Sequence, residues 1–162
     1  MRTNIPLSQQ FDAFELESRG IREFFKIELA DGAVMYLTPE NPCTFLGFDW
    51  EGLPCKLSEN SQNSSGEMSR PKFAVLNPNG MFSLWVESGY TDGAILTRYQ
   101  VLMSDLEAGV NNYVKNVWVM SKVVSLNKNM VIFECRSTID GANFDLPARS
   151  FYPPEFPHVT LR

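Results

Sequence analysis

The sequence predicts a mainly β protein, a sandwich or barrel-like fold of about eight strands with two short helices and an extended, proline-rich C-terminal arm. Three observations carry this. Apolar-rich runs are joined by Asp-Gly and Asn-rich turn signals, as at Ala30-Asp31-Gly32 and Asn127-Lys128-Asn129; Asp-Gly supplies the positive φ that a tight hairpin requires. Residues 94–103 alternate, with Ile95, Thr97, Tyr99, Val101 and Met103 on one face and Arg98 and Gln100 on the other, the period of a strand. Residues 147–162 hold four prolines and three aromatic residues, a composition for extended chain that docks.

Along the chain, residues 8–19 place Phe11, Phe14 and Ser18 at helical spacing, with Ser8 as N-cap and Gly20 as the stop. Residues 22–37 form a first hairpin about Asp31-Gly32. Residues 43–57 are expected to repeat it with Asp49 to Gly52 at the tip, making a β meander. Residues 58–71 are almost entirely Ser, Asn, Glu and Gly and read as a mobile polar surface loop, since little in them is buried to offset the entropy of ordering. A strand over 72–77, a turn at 77–80 and a second helix follow. That helix sets Met81, Leu84, Trp85 and Ser88 on one face, with Asn77 or Asn79 near its start. Residues 113–126 and 130–138 form a last hairpin, whose first strand has two apolar faces and is expected to be covered on both sides.

The 162 residues fit one domain, 1–162, and 44% hydrophobic content provides for a core. The net charge of −5 and the scattered lysines and arginines exclude a phosphate-tracking groove. No specific nucleic-acid ligand is expected, although an acidic surface lets DNA slide past without sticking. The first 20 residues carry charges and no long apolar run, so neither a signal peptide nor a membrane anchor is read there. Cys43, Cys55 and Cys135 have no C-x-x-C spacing and read as free thiols.

Catalytic constellations are sparse. His158 is the only histidine, no G-x-S-x-G surrounds a serine, and no Gly-rich phosphate loop occurs. Acidic clusters at Asp12, Glu15 and Glu17, and at Asp49 and Glu51, read as solvated charge, because acid/base work needs burial that shifts a pKa. No enzymatic activity, metal or cofactor is expected. Trp50, Trp85 and Trp118 read as core or interface anchors. In the arm, Pro153, Pro154 and Pro157 fix φ and remove donors, while Phe151, Tyr152 and Phe156 provide surface to bury.

The stretches "MSRPKFAVLNPNGMFSLWV" and "GAILTRYQVLMSD", with the ending "PARSFYPPEFPHV", resemble tailed-phage minor tail proteins. The pattern is that of a small phage-tail family of unknown function, and is similar to the N-terminal domain of the lambda-type minor tail protein L family. The resemblance covers roughly residues 20–160 and implies a structural virion protein at the distal end of a long tail. There a ring, a trimer or hexamer of copies, would join the distal tail or tube protein to the hub and receptor-binding tip around the DNA conduit. Assembly in the host bacterial cytoplasm is implied, with no membrane partner. The positions matching the pattern are Arg70, Pro71, Asn77, Gly80, Arg149, Phe151, Pro154, Phe156 and Pro157; Trp85 and Tyr152 join them as candidate interface anchors. The lambda-type proteins continue into a cysteine-rich domain with an iron–sulfur cluster, and with only Cys43, Cys55 and Cys135 no cluster is expected here. Two other readings are a tail-assembly chaperone absent from the virion and a small tail-tip cell-wall hydrolase.

Overall fold

The computed structural model describes residues 5–14, 20–58 and 70–138. Within them are nine strands in one mixed sheet and three short α-helices, so the mainly β expectation holds with one more strand and one more helix than the sequence predicts. The strands are β1 (Ile21–Glu28), β2 (Val34–Thr38), β3 (Cys43–Phe45), β4 (Phe48–Gly52), β5 (Cys55–Leu57), β6 (Lys72–Leu76), β7 (Ile95–Leu102), β8 (Val114–Leu126) and β9 (Met130–Ser137). The helices are α1 (Leu7–Asp12), α2 (Met81–Glu87) and α3 (Met103–Glu107). The sheet order is β3-β4-β2-β1-β7-β8-β9-β6-β5.

The ends of this sheet are joined by one stretch of chain. β4 pairs in parallel with β2, Leu37 opposite Glu51 and Thr38 opposite Gly52, and the Leu53 N–H continues the ladder to the Thr38 carbonyl at 2.9 Å. Three residues on, β5 pairs antiparallel with β6, Cys55 opposite Val75, and the Leu76 N–H reaches the Pro54 carbonyl at 3.0 Å. Residues 48–57 therefore serve both sheet ends, and the sheet curls into a barrel that this stretch joins, through two paired positions on β2 and three on β6. Phe25 on β1 and Phe73 on β6 stand four strand spacings apart in the order yet pack at 5.2 Å between ring centroids. Gly52 sits where this run passes residues 40–42. A Cβ there would meet the Glu40 carbonyl oxygen at 2.8 Å and Pro42 Cδ at 3.0 Å. Gly52→Ala is expected to lower stability by about 1–3 kcal/mol, read as a lower urea midpoint at unchanged m.

Strand alternation divides the apolar residues between two cores. Inward residues Phe25, Ile27, Leu37, Leu57, Phe73, Val75, Leu96, Met120, Val131, Phe133 and Cys135 fill the barrel. Outside it, Phe24, Tyr99 and Val101 are covered by Phe45 and Trp50 of the β3–β4 hairpin. Phe24 stacks on Phe45 at 4.6 Å, and Trp50 meets Phe24 edge-on at 5.0 Å while its indole N–H donates to the Phe45 carbonyl at 2.8 Å.

Several local expectations are corrected. The β3–β4 hairpin turns at Leu46-Gly47, both at positive φ (53° and 77°), and Asp49 and Glu51 lie within β4. A Phe-Leu-Gly-Phe turn lacks the Asn or Asp that usually marks one. The parallel β2–β4 pairing replaces the second step of the expected meander. In α2 the buried residue is Phe82, whereas Leu84 is 69% exposed; the helix presents Met81, Phe82, Trp85 and Val86 to the core. Met103 begins α3 and does not extend β7. β8 buries only Met120 and is not covered on both sides. α1 starts after Pro6 and ends at Asp12, and Ser8 makes no cap. The polar loop falls mostly on residues 59–69, and the C-terminal arm on 147–162; both lie outside the described residues.

Candidate functional site

The two ends of the barrel differ. At one end α2 acts as a plug: Phe82 is buried and meets Phe133 at 6.4 Å inside the barrel, with Trp85 edge-on to it at 5.5 Å. The plug is seated by Asn77, which is fully buried. Its Oδ1 accepts from the Phe82 N–H at 2.9 Å, and its Nδ2 donates to the Asn127 carbonyl at 3.1 Å and Ser83 Oγ at 3.2 Å. Asn79 and Gly80 hold φ of 57° and 71°, the left-handed steps that turn the chain from β6 into α2.

The opposite end is polar. Glu23 follows the alternation of Phe25, and Arg98 and Gln100 follow that of Leu96, so all three face inward beyond the apolar interior. Glu23 Oε1 accepts from Gln100 Nε2 at 3.1 Å and from Arg98 Nη1 at 3.4 Å. The Arg98 guanidinium lies 5.3 Å from the Trp118 ring centre, a cation–π arrangement. The start of β1, the end of β5, the start of β6 and the end of β9 all point to this end. α1 is fastened here too, by Ser8 Oγ donating to Asp105 Oδ2 at 2.7 Å and Gln9 Nε2 donating to the Gln100 carbonyl at 2.9 Å.

The predicted site residues do not converge. Arg70 and Pro71 lie at the polar end: Arg70 Nη1 meets Glu134 Oε1 at 2.9 Å, and the Pro71 carbonyl accepts the Cys135 N–H at 2.8 Å. The Arg70 hydrogen bond holds the Glu134 carboxyl below its ordinary range against the opposing effect of burial, with Lys122 3.5 Å away. Asn77, Gly80 and Trp85 lie at the plugged end, the five residues of β6 away, about 17 Å at ~3.3 Å per residue. Each has a structural task, in a strand ladder, a turn or a plug. Arg149, Phe151, Tyr152, Pro154, Phe156 and Pro157 lie outside the described residues, as does His158.

Chemistry along the described surface is limited. No group of three or more His, Cys, Asp or Glu that could hold a metal occurs among the described residues. A shallow groove of about 440 Å³ is lined by Pro39, Glu40, Asn41, Gly52 and Pro54. Arg22 binds its rim through the Asn41 carbonyl and Glu40 at 3.4 Å. Burial pushes the Cys55 and Cys135 thiols up to about 12. Of the three cysteines only Cys43 is partly exposed, so iodoacetamide at pH 8 is expected to modify Cys43 alone until the protein unfolds; peptide mass mapping of two modified sites on native protein would contradict this. The raised thiol pKa values also set a pH dependence. Stability present below about pH 9 falls as pH rises toward 12, because the unfolded chain loses these protons first.

One feature was not read from the sequence at all, the direction of the α1 stripe. Helical spacing places Leu7, Phe11 and Phe14 together, but the contacts of Ser8 and Gln9 turn the polar flank toward the barrel and leave those residues 69%, 67% and 89% exposed. No described helix is long and apolar enough to cross a membrane.

No protein-family model matches the chain, and no curated protein matches it in sequence. Among solved structures it is similar to a chain of the "Virion of native gene transfer agent (GTA) particle", with a TM-score of 0.57 and 14% identity over 84% of this chain. The chain spans about half of that one, 47% of its length. At that identity the likeness is one of fold.

Proposed function

We propose that the chain is a structural virion protein of a long-tailed phage or phage-like particle. In this reading it forms a ring in the tail tip or baseplate hub, joining the tube or distal tail protein to the central hub around the DNA conduit. The observation that carries the proposal is the fold shared with a chain of a gene transfer agent virion over 84% of the present one. The architecture supports it: the barrel has its two sheet ends joined by one stretch of chain, and one of its ends carries an outward apolar helix face, a feature suited to contact. The net charge of −5 suits the wall of a DNA passage. In this reading the chain is not an enzyme and carries no cofactor.

Mass spectrometry of purified particles tests the virion assignment, and cryo-electron microscopy of their tails tests the ring. The expected result is the intact chain in stoichiometric amount with the tail proteins, in a closed ring of three or six copies below the tube. Its absence from purified particles, with abundance in the lysate, would overturn the reading in favour of an assembly chaperone.

A further inference from the structure

α1 is a helix whose apolar side faces outward. It buries no residue. Leu7, Phe11 and, just past the helix, Phe14 are 69%, 67% and 89% exposed, spaced four and three residues apart as an apolar strip of the kind that surfaces keep for a partner. The helix is held on its other side by hydrogen bonds to Asp105 and to the Gln100 carbonyl, so turning it over to bury the strip would break both.

We propose that residues 147–162 of the same chain cover this strip, with Phe151, Tyr152 and Phe156 against Phe11 and Phe14. Three observations choose this occupant. The composition matches: aromatic side chains for an aromatic strip, on a backbone whose Pro153, Pro154 and Pro157 lower the entropy lost on docking. The reach suffices. Ser137 pairs with Trp118 and Trp118 with Leu96, four residues along β7 from Gln100, to which α1 is bonded. Two strand spacings and four residues amount to about 16–17 Å, whereas residues 139–146 can span up to ~26 Å. A tether of that length also presents the segment at roughly millimolar effective concentration, far above a second copy in dilute solution.

The experiment uses the full chain with Cys43→Ser, which removes the partly exposed native thiol. Phe14→Cys with Phe156→Cys is oxidised by copper phenanthroline at micromolar protein and mapped by peptide mass spectrometry. A control pairs Leu84→Cys, exposed on α2 at the other end of the barrel, with the same Phe156→Cys. The expected result is a monomer-sized disulfide at least tenfold more abundant than in the control. Equal yields, no cross-link, or a cross-link found mainly in dimers would overturn the proposal, the last in favour of a second copy. As an independent readout, Phe151→Ser with Phe156→Ser is expected to raise amide exchange in residues 7–14 at least tenfold while leaving β7 and β9 unchanged. Unchanged exchange in 7–14, or a uniform rise across the barrel, would also overturn it.

Discussion

Phe25→Ala is expected to lower the unfolding free energy by about 3–5 kcal/mol. Phe25 is completely buried and lies on β1, paired to Leu37 of β2 on one side and Arg98 of β7 on the other. Its ring crosses the barrel to Phe73, 5.2 Å away, and thereby ties the two halves of the curled sheet together. Loss of the ring leaves a cavity that the walls cannot close, since each neighbouring strand is fixed by ladders on both sides, and the cost of a cavity grows with the volume that fails to collapse. Against a total stability of ~5–15 kcal/mol, this is a large fraction. Urea denaturation of the variant measures it, with Val34→Ala on β2, a 42% exposed position, as a control expected within ~0.5 kcal/mol of the parent. A loss below about 1.5 kcal/mol would mean that the sheet does not close around Phe25. A double-mutant cycle with Phe73→Ala extends the test: residues in contact do not add, so the double variant should lose less than the sum of the two.

The strands were legible because alternation and turn chemistry are local. Asp31-Gly32 and Asn127 to Asn129 mark hairpins that the chain makes, and Thr97, Tyr99 and Val101 share a face as their spacing predicts. What stayed hidden depends on pairing at a distance. Nothing in residues 48–57 says that one half pairs with β2 and the other with β6, and Leu46-Gly47 turns the chain without the residues that usually announce a turn. Burial directions failed for the same reason. Leu84 and Phe82 are equally apolar, and only the position of α2 over the barrel mouth decides that Phe82 enters.

The candidate site was legible in part. Helical period finds Phe11 and Phe14 on one face but not Leu7, which lies before the helix start expected at Ser8, and the outward direction of that face follows from Ser8 and Gln9 bonding to groups more than 90 residues away. The Glu23, Arg98 and Gln100 cluster is likewise assembled across β1 and β7. In sequence these residues are the unremarkable polar half of two alternating strands. Arg70, Pro71, Asn77 and Gly80 were found by pattern, and the fold gives them structural tasks at opposite ends of β6.

The seat of the plug rests on one side chain, so Asn77→Ala is expected to cost about 3 kcal/mol, the loss of one buried donor's partner and one buried acceptor's partner at ~1–3 kcal/mol each. Alanine leaves the Phe82 N–H at the first turn of α2 without its acceptor and the Asn127 carbonyl in the β8–β9 turn without its donor. Because Phe82 is the residue that α2 inserts into the barrel, amide exchange should rise first in residues 77–94 and only later in β1 and β7, as a local opening does. Asn77→Asp separates the two bonds. Its carboxylate keeps the acceptor for Phe82 but faces the Asn127 carbonyl with no proton to donate, and burial raises its pKa above that of an unfolded aspartate. The variant should therefore be closest to the parent at low pH, where the protonated acid can donate, and should lose stability relative to the parent as pH rises through its folded pKa. Equal loss at pH 4 and pH 8 would place the whole cost on shape and none on the donor. An alanine variant as stable as the parent would mean instead that Phe82 packing alone holds the plug, and that Asn77 serves only the turn.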